Sequence, residues 1–451
     1  MPRTAAAASL ALLVAVASGC GTRVDGTDTA GGTGSRLNPP TSAPDSPGTS
    51  DTPGTTDPTL SDSPCGPGDA AGATDVGVTD DTITIYTIHD LSGPAPGLFQ
   101  ANQDAVKAFV AYCNSLGGVL GRELELVTRD SGFFEPRAQI VDACREAFAV
   151  VGGAVVFDDQ MIDVAEECGI PELPSFSSTP QHSIASNVVH AVPNAATEWQ
   201  AGPAYWFAEE YPDAVKRAAV LYADAGTTKN RAEMQKEAFA QAGFDFVMEK
   251  AIPLVELNWG PHVDELRSKG IGYVTIWSDL KEPVKLVKEL RAQGVDIAIV
   301  DIEPQSYTSD FLEQAGPAAE GAYVGVSTWP LEEADENAEL QLYGEWVDRT
   351  TGGEPTALGI HTWSSALLFA TAAKELGSDL TREGLLDQLH TVHEWDGHGI
   401  HAPTDPGRNH LAECIVMLQV QDGEFRRVWP DEGFACDPRY AAKVRDPSAG
   451  G

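Results

Sequence analysis

The stretch "TITIYTIHDLSGPAPGLFQ", residues 82–100, decides how the folded part of this chain is read. Alternating β-branched residues over 82–89 have the period of a strand. A Ser-Gly-Pro-Ala-Pro-Gly loop interrupts them. Apolar residues then recur at helix spacing, at Ala105, Val106, Phe109, Val110, Cys113 and Leu116, and the glycine pair 117–118 closes that helix. "ELELV" (123–127) reads as the next strand, followed by a helix from Pro136 to Phe148. "GGAVV" (152–156), a helix ending at Gly169 and "IPELPSF" (170–176) continue the series. Strands alternating with helices predict a parallel sheet covered on both faces.

The alternation then restarts. Residues 198–210 read as a helix, "RAAVLYA" (217–223) as a strand and 228–242 as a helix. "FDFVMEKAI", "GYVTIW" (272–277) and "IAIVDI" (297–302) follow, with a helix over 283–293. A long helical pattern covers 360–376, and "CIVMLQVQDGEFRRVW" is a hairpin with an Asp-Gly turn. The expected class is therefore α/β, with two doubly wound parallel-sheet lobes. A chain of 451 residues has the length for that many cores.

The ends differ from this middle. Arg3 precedes an apolar stretch of thirteen residues, Ala5 to Ala17, too short for a permanent membrane span. Ala17-Ser18-Gly19-Cys20 resembles the lipobox of bacterial lipoproteins, in which cleavage leaves Cys20 as a lipidated N-terminus. The plainer alternative is an ordinary secretory signal peptide. Residues 1–20 are thus expected to be a lipoprotein signal peptide. Gly, Pro, Ser, Thr and Asp dominate 21–76, which reads as a disordered tether because it has too little apolar surface to offset chain entropy.

The formal charge is −38. Such a surface repels nucleic acid and anionic lipid and argues against both as partners. With Cys20 assigned to lipid, Cys65, Cys113, Cys144, Cys168, Cys414 and Cys436 remain. An even number in an exported chain points to disulfides, and fifteen pairings are open. The local pairs 144–168 and 414–436 are preferred, leaving 65 for 113.

Several stretches together carry a family likeness: "DLSGPAPG", "NSLGGVLGRELELVTRDSG" (114–132), "CGIPELPSFSSTP" (168–180) and "VVHAVPN" (188–194). The chain resembles the substrate-binding proteins of ABC transporters of the branched-chain amino-acid-binding type, over residues 77–436. The resemblance implies a type I periplasmic binding protein-like fold: two lobes, three hinge crossings and a ligand in the cleft. The crossings are expected near Val192–Thr197, Ser327–Leu331 and Trp395–Ala402. The first lobe would be 77–194 plus 332–394 and the second 195–326 plus 403–436, with a disordered tail over 437–451. Function would be capture of a small polar solute by a monomer, lipid-anchored on the outer face of the bacterial cytoplasmic membrane, for the membrane subunits of an importer. A signalling sensor and an exported metal-dependent hydrolase are the alternatives.

Ligands of open parallel sheets sit beyond the carboxyl ends of strands, where loop amides and helix N-termini point. That rule selects Ser92 and Gly93, Asp158 and Asp159, and Ser177, Ser178 and Thr179 on the first lobe. On the second it selects Thr227, Trp277, Asp279 and Glu303, the last within Asp301-Ile302-Glu303. The family resemblance implies that the 177–179 loop holds a ligand carboxylate, and that Glu303 lies near the place of an acid for the ligand ammonium. Helix capping and solvation are the plainer roles for these side chains. The Asp158-Asp159 pair departs from the family's serine-rich loop, and a carboxylate facing an α-carboxylate costs affinity. His390, His393, His398, His401 and His410, with Asp396 and Asp405, are a compositional metal signal, but no metal or cofactor is expected. Neither GxSxG, HExxH nor GxxxxGK[ST] occurs, so no catalytic residue is assigned.

Overall fold

A computed structural model describes residues 63–446, apart from 195, 225–227 and 280. The expectations for the leader, Cys20, most of the tether and Thr227 lie outside the described residues.

The first sheet is built from β1 (Thr82–His89), α1 (Gln100–Ser115), β2 (Glu123–Asp130), α2 (Pro136–Glu146), β3 (Ala149–Val151), α3 (Ile162–Cys168) and β4 (Glu172–Leu173). Its strands lie in the order β2-β1-β3-β4 and all pair in parallel. The alternation in β1 places Ile83 and Ile85 on one face, and Tyr86 and Ile88 on the other. Both faces are covered, so every one of these side chains is almost fully buried.

After α4 (Pro180–Ser183) the chain runs through β5 (Glu198–Gln200), α5 (Gly202–Glu210), β6 (Ala218–Ala223), α6 (Thr228–Gln241), β7 (Phe246–Ile252) and α7 (Gly260–Ser268). Then come β8 (Tyr273–Trp277), α8 (Lys281–Ala292), β9 (Ile299–Asp301), α9 (Ser309–Ala315) and β10 (Tyr323–Val326). Strands β7-β6-β8-β9-β10 form a parallel array. The antiparallel hairpin β11 (Cys414–Gln421) and β12 (Glu424–Trp429) extends it. Asp422 and Gly423 both take positive φ at that turn, the backbone that a tight hairpin requires.

Between the two sheets' segments, α10 (Ala338–Thr351), α11 (Ala357–Leu376) and α12 (Arg382–His390) return to the first lobe. Trp363 of α11 is fully buried edge-on against Phe109 of α1, with its indole N–H on Glu339 at 2.7 Å. Removing such a side chain costs about 3–5 kcal/mol. Three segments cross between the lobes side by side: Trp329 N donates to Ile400 O, Ala402 N to Ser327 O, and the Thr404 hydroxyl to Ala191 O. Hydrogen bonding across all three makes the hinge a small fixed unit.

Disulfides join Cys65 to Cys113, Cys144 to Cys168, and Cys414 to Cys436, the three pairs preferred from sequence. Each closes a loop in the range where cross-linking contributes about 3–4 kcal/mol in the chain-entropy picture.

Four expectations are corrected. The third strand is Ala149–Val151, upstream of the glycine pair, because Gly152 turns the chain at φ 70. A Cβ at that position would lie 2.7 Å from Thr362. The helix expected from 198 begins at Gly202, and residues 198–200 are strand β5. The tail expected to be disordered continues to β14 (Ala441–Lys443), which pairs with β5; β13 (Ala435–Cys436) precedes it and pairs with β11. Tether residues 63–76 are also placed, because Cys65 is bonded covalently and Arg122 donates to Gly72 O at 3.0 Å. A composition argument weighs only apolar surface, and these segments are held by backbone pairing and a disulfide.

Candidate functional site

The carboxyl ends of β8, β9 and β10 open on a cavity of about 170 Å³ between the second lobe and the start of α11. Trp199 and Trp277 form one wall, edge-to-face at 5.2 Å, and the Trp277 indole is fixed by Gln235 Oε1 at 2.7 Å. Asp301 and Glu303 line the floor, and His361 reaches in from α11.

Three polar atoms here have no partner among the described residues: Glu303 Oε1, Thr328 Oγ1 and His361 Nδ1. Glu303 is 5% exposed and Thr328 2%. A buried polar group without a partner costs about 1–3 kcal/mol, more when charged, so this is where a guest gains most. Glu303 Oε2 accepts from Gln305 at 2.9 Å, and Asp301 accepts the Tyr273 hydroxyl at 2.6 Å. Burial pushes the Asp301 carboxyl up to about 7, with the Tyr273 hydroxyl opposing the shift. Burial, and then the neighbouring Asp301, raises Glu303 well above the usual carboxylate range, against the pull of Arg231. Burial lowers the His361 imidazole to about 3, leaving it neutral at physiological pH.

The second construction is in the first lobe. Asp158 is 2% exposed and accepts the Ser178 amide at 2.6 Å, the Thr179 amide at 3.1 Å and the Thr179 hydroxyl at 2.6 Å. The Ser178 hydroxyl donates to Val155 O, and Ser177 Oγ lies between His182 Nδ1 and His190 Nε2 at 2.7 and 2.8 Å. Thr179 also caps α4 by accepting from His182 N. Every hydroxyl of this loop is therefore engaged within the chain. Burial alone would lower His182, but Asp158 at 3.3 Å and Glu172 at 3.4 Å hold it up to about 9.

Arg231 links the two. From the first turn of α6 it donates to Ser177 O at 2.6 Å, and its guanidinium lies 6.0 Å from the Trp199 ring. Burial lowers its affinity for the proton, while Asp158 and Glu303 support the charge.

Of the residues selected from sequence, Trp277 and Glu303 meet in the cavity, and Asp158 with Ser177, Ser178 and Thr179 form the adjoining knot. Asp159, Ser92 and Gly93 are exposed, the Ser92 amide donating to Asp130 at 3.3 Å. Asp279 accepts from Lys281 N at the start of α8. Sequence reasoning missed Arg231, Thr328, His361 and Trp199. The one available signal was Arg231, Gln235 and Phe239 at i, i+4, i+8 of α6, a polar pair in line with a buried phenylalanine.

The histidines of 390–410 do not converge. His393 pairs with Asp405, His398 with Glu339, His410 with Glu198 and Glu413, and His401 with Ser364. Among the described residues no group of three or more His, Cys, Asp or Glu is placed to hold a metal ion. No helix among them is long and apolar enough to cross a membrane.

A family profile described as periplasmic binding protein matches residues 82–424, three quarters of the chain. The chain belongs to that family. Its fold is shared with a fatty acid ABC transporter substrate-binding protein from Thermomonospora curvata (17% identity, TM-score 0.70, covering 81% of this chain and 95% of that one). It is also shared with a branched-chain amino acid transporter substrate-binding protein from Streptococcus pneumoniae in complex with isoleucine (16%, 0.63, 78% and 100%). A third is a solute-binding protein of an ABC transporter from R. palustris in complex with 4-hydroxybenzoate (17%, 0.65, 79% and 98%). No curated protein matches the chain significantly. A fatty acid, isoleucine and 4-hydroxybenzoate share a carboxylate and little else, and this cavity is lined by two carboxyl groups, so the ligand has to be argued from the cavity.

Proposed function

We propose that the protein is the extracytoplasmic solute-binding subunit of an ABC importer, anchored through lipid on Cys20 and performing no chemistry. The carrying observation is the cavity beyond β8, β9 and β10, where Glu303, Thr328 and His361 each hold an unpartnered buried polar atom. Trp277 and Glu303 are its contacts from the sequence-selected set, joined by Asp301, Thr328, His361 and Trp199. Family membership and the two-lobe hinge support closure of the lobes around the solute as the signal to the membrane subunits. The lobes are taken as 77–194 with 332–394 and 195–326 with 403–446.

A thermal-shift screen of amino acids, amides, amines, sugars and small acids tests the reading. A solute at one hundred times its dissociation constant stabilises by about 2.7 kcal/mol. If no member of the panel moves the midpoint, solute capture is rejected. For the anchor, Cys20→Ala should abolish labelling by a fatty-acid probe and release the protein from membranes. Unchanged membrane retention would remove the lipid from the proposal.

A further inference from the structure

The solute's class follows from what the chain has already filled. A zwitterionic amino acid needs donors for its carboxylate as well as an acid for its ammonium. Expected at Ser178 and Thr179, those donors are spent on Asp158. The pocket that remains offers acceptors. Glu303 Oε1 accepts when ionised. His361 Nδ1 is buried without a partner, and a neutral imidazole offers one acceptor and one donor. Thr328 Oγ1 accepts or donates.

Charge points the same way. Asp301 and Glu303 line the cavity, and the cation whose field reaches Glu303, Arg231, donates its hydrogen bond to Ser177 O. Among the described residues Arg231 forms no ion pair within 4 Å. Burial and mutual repulsion disfavour the ionised forms of Asp301 and Glu303, and a guest cation seated between them would hold those forms ionised. The indole wall of Trp199 and Trp277 suits a cation with an apolar body. Size sets the last limit. A cavity of about 150 Å³ holds benzene, so about 170 Å³ takes a solute of a few non-hydrogen atoms more or less.

From these observations we infer that the cleft takes a small monocationic amine or amidine without a carboxylate, its N–H groups on Glu303, Thr328 and His361 and its apolar part against the two tryptophans. This rests on the solute-binding reading and names its class. A neutral amide fits less well, because it brings no positive charge to Glu303 and Asp301.

The test is calorimetric titration and thermal shift of the full chain with matched probes: isoamylamine, leucine, 4-methylpentanoate and 4-methylpentanamide, with butylamine, benzylamine and guanidinium as further cations. At least one cation should raise the midpoint in a concentration-dependent way, while leucine, the acid and the amide leave it in place. Glu303→Gln should weaken that cation by about ten- to a hundredfold, the value of a charge-assisted hydrogen bond, with an unchanged circular dichroism spectrum. A shift from leucine or the acid, or silence from every cation, overturns the inference. If some other panel member then binds, solute capture stands without it. If none binds, both fall.

Discussion

Ser178 donates its backbone N–H to Asp158 Oδ2 at 2.6 Å, and the neighbouring Thr179 hydroxyl closes on Oδ1 at the same distance. A side chain from one loop thus performs, on the next loop, the task that the family resemblance assigned to a ligand carboxylate. Asp158→Ala would leave two amides and a hydroxyl facing an empty, buried space. Breaking a buried charge pair from one side costs about 3–5 kcal/mol, and a fall of that size in the urea-unfolding free energy is expected. Formate, the size of the carboxylate removed, should restore part of the loss, and chloride at equal ionic strength should not. A loss below about 1 kcal/mol would show that those donors find other acceptors.

His182 makes the same knot pH-dependent. Asp158, Glu172 and Asp159 hold it up to about 9 against burial, and Ser177 and His190 complete its surroundings. The ordinary value, 6.5, applies to the unfolded chain. A base with a raised folded value lends stability that is fully present below 6.5 and lost as pH rises through about 9, on the order of 3 kcal/mol. The urea midpoint should decline between pH 6.5 and 10. In His182→Gln it should start lower and decline less, and an equal slope in both proteins would remove His182 as the cause.

How much of this was legible beforehand depends on the range of the forces involved. Period-two and helical spacing placed β1, β2, β6 and the hairpin, because the alternation that buries Ile83 and Ile85 is written in neighbouring residues. Local spacing likewise paired Cys144 with Cys168 and Cys414 with Cys436. "AVVGGAVV" could not place β3, since two equal apolar halves flank the glycines and only packing against α11 selects the first. Nor could sequence decide which member of Asp158-Asp159 turns inward. That choice is made by amides some twenty residues away. Arg231 sits in a helix whose sequence reads as solvated, and its burial depends on Ser177 in the other lobe.

Glu303 carries a stability cost that ought to be removable. Its folded value is raised by burial and Asp301, with Arg231 opposing; Gln305 and neutral His361 are its other neighbours. An acid with a raised value loses nothing on folding while protonated, and its penalty grows as pH climbs above the unfolded value, 4.5. Glu303→Gln should therefore unfold at higher urea than the parent at pH 8, with the difference closing near pH 4. Stability given up at a binding residue is a recurrent trade. A variant less stable than the parent at pH 8 would mean that Glu303 is compensated within the chain.

Arg231 supplies the last test, because its guanidinium on α6 reaches the carbonyl of Ser177 across the cleft. Besides the hinge, the lobes also meet where Ser309 bonds Glu354 and where Arg427 bonds Glu333. Arg231→Met keeps the apolar stem beside Trp199 while removing the donor and its charge. The unliganded variant should populate wider lobe separations, read as a larger radius of gyration in solution scattering or a longer distance between spin labels on α2 and α7. Arg231→Lys retains charge without the planar fork and should lie between the two. Identical scattering from all three proteins would show that the hinge hydrogen bonds and the other interlobe contacts set the lobe angle without help from Arg231.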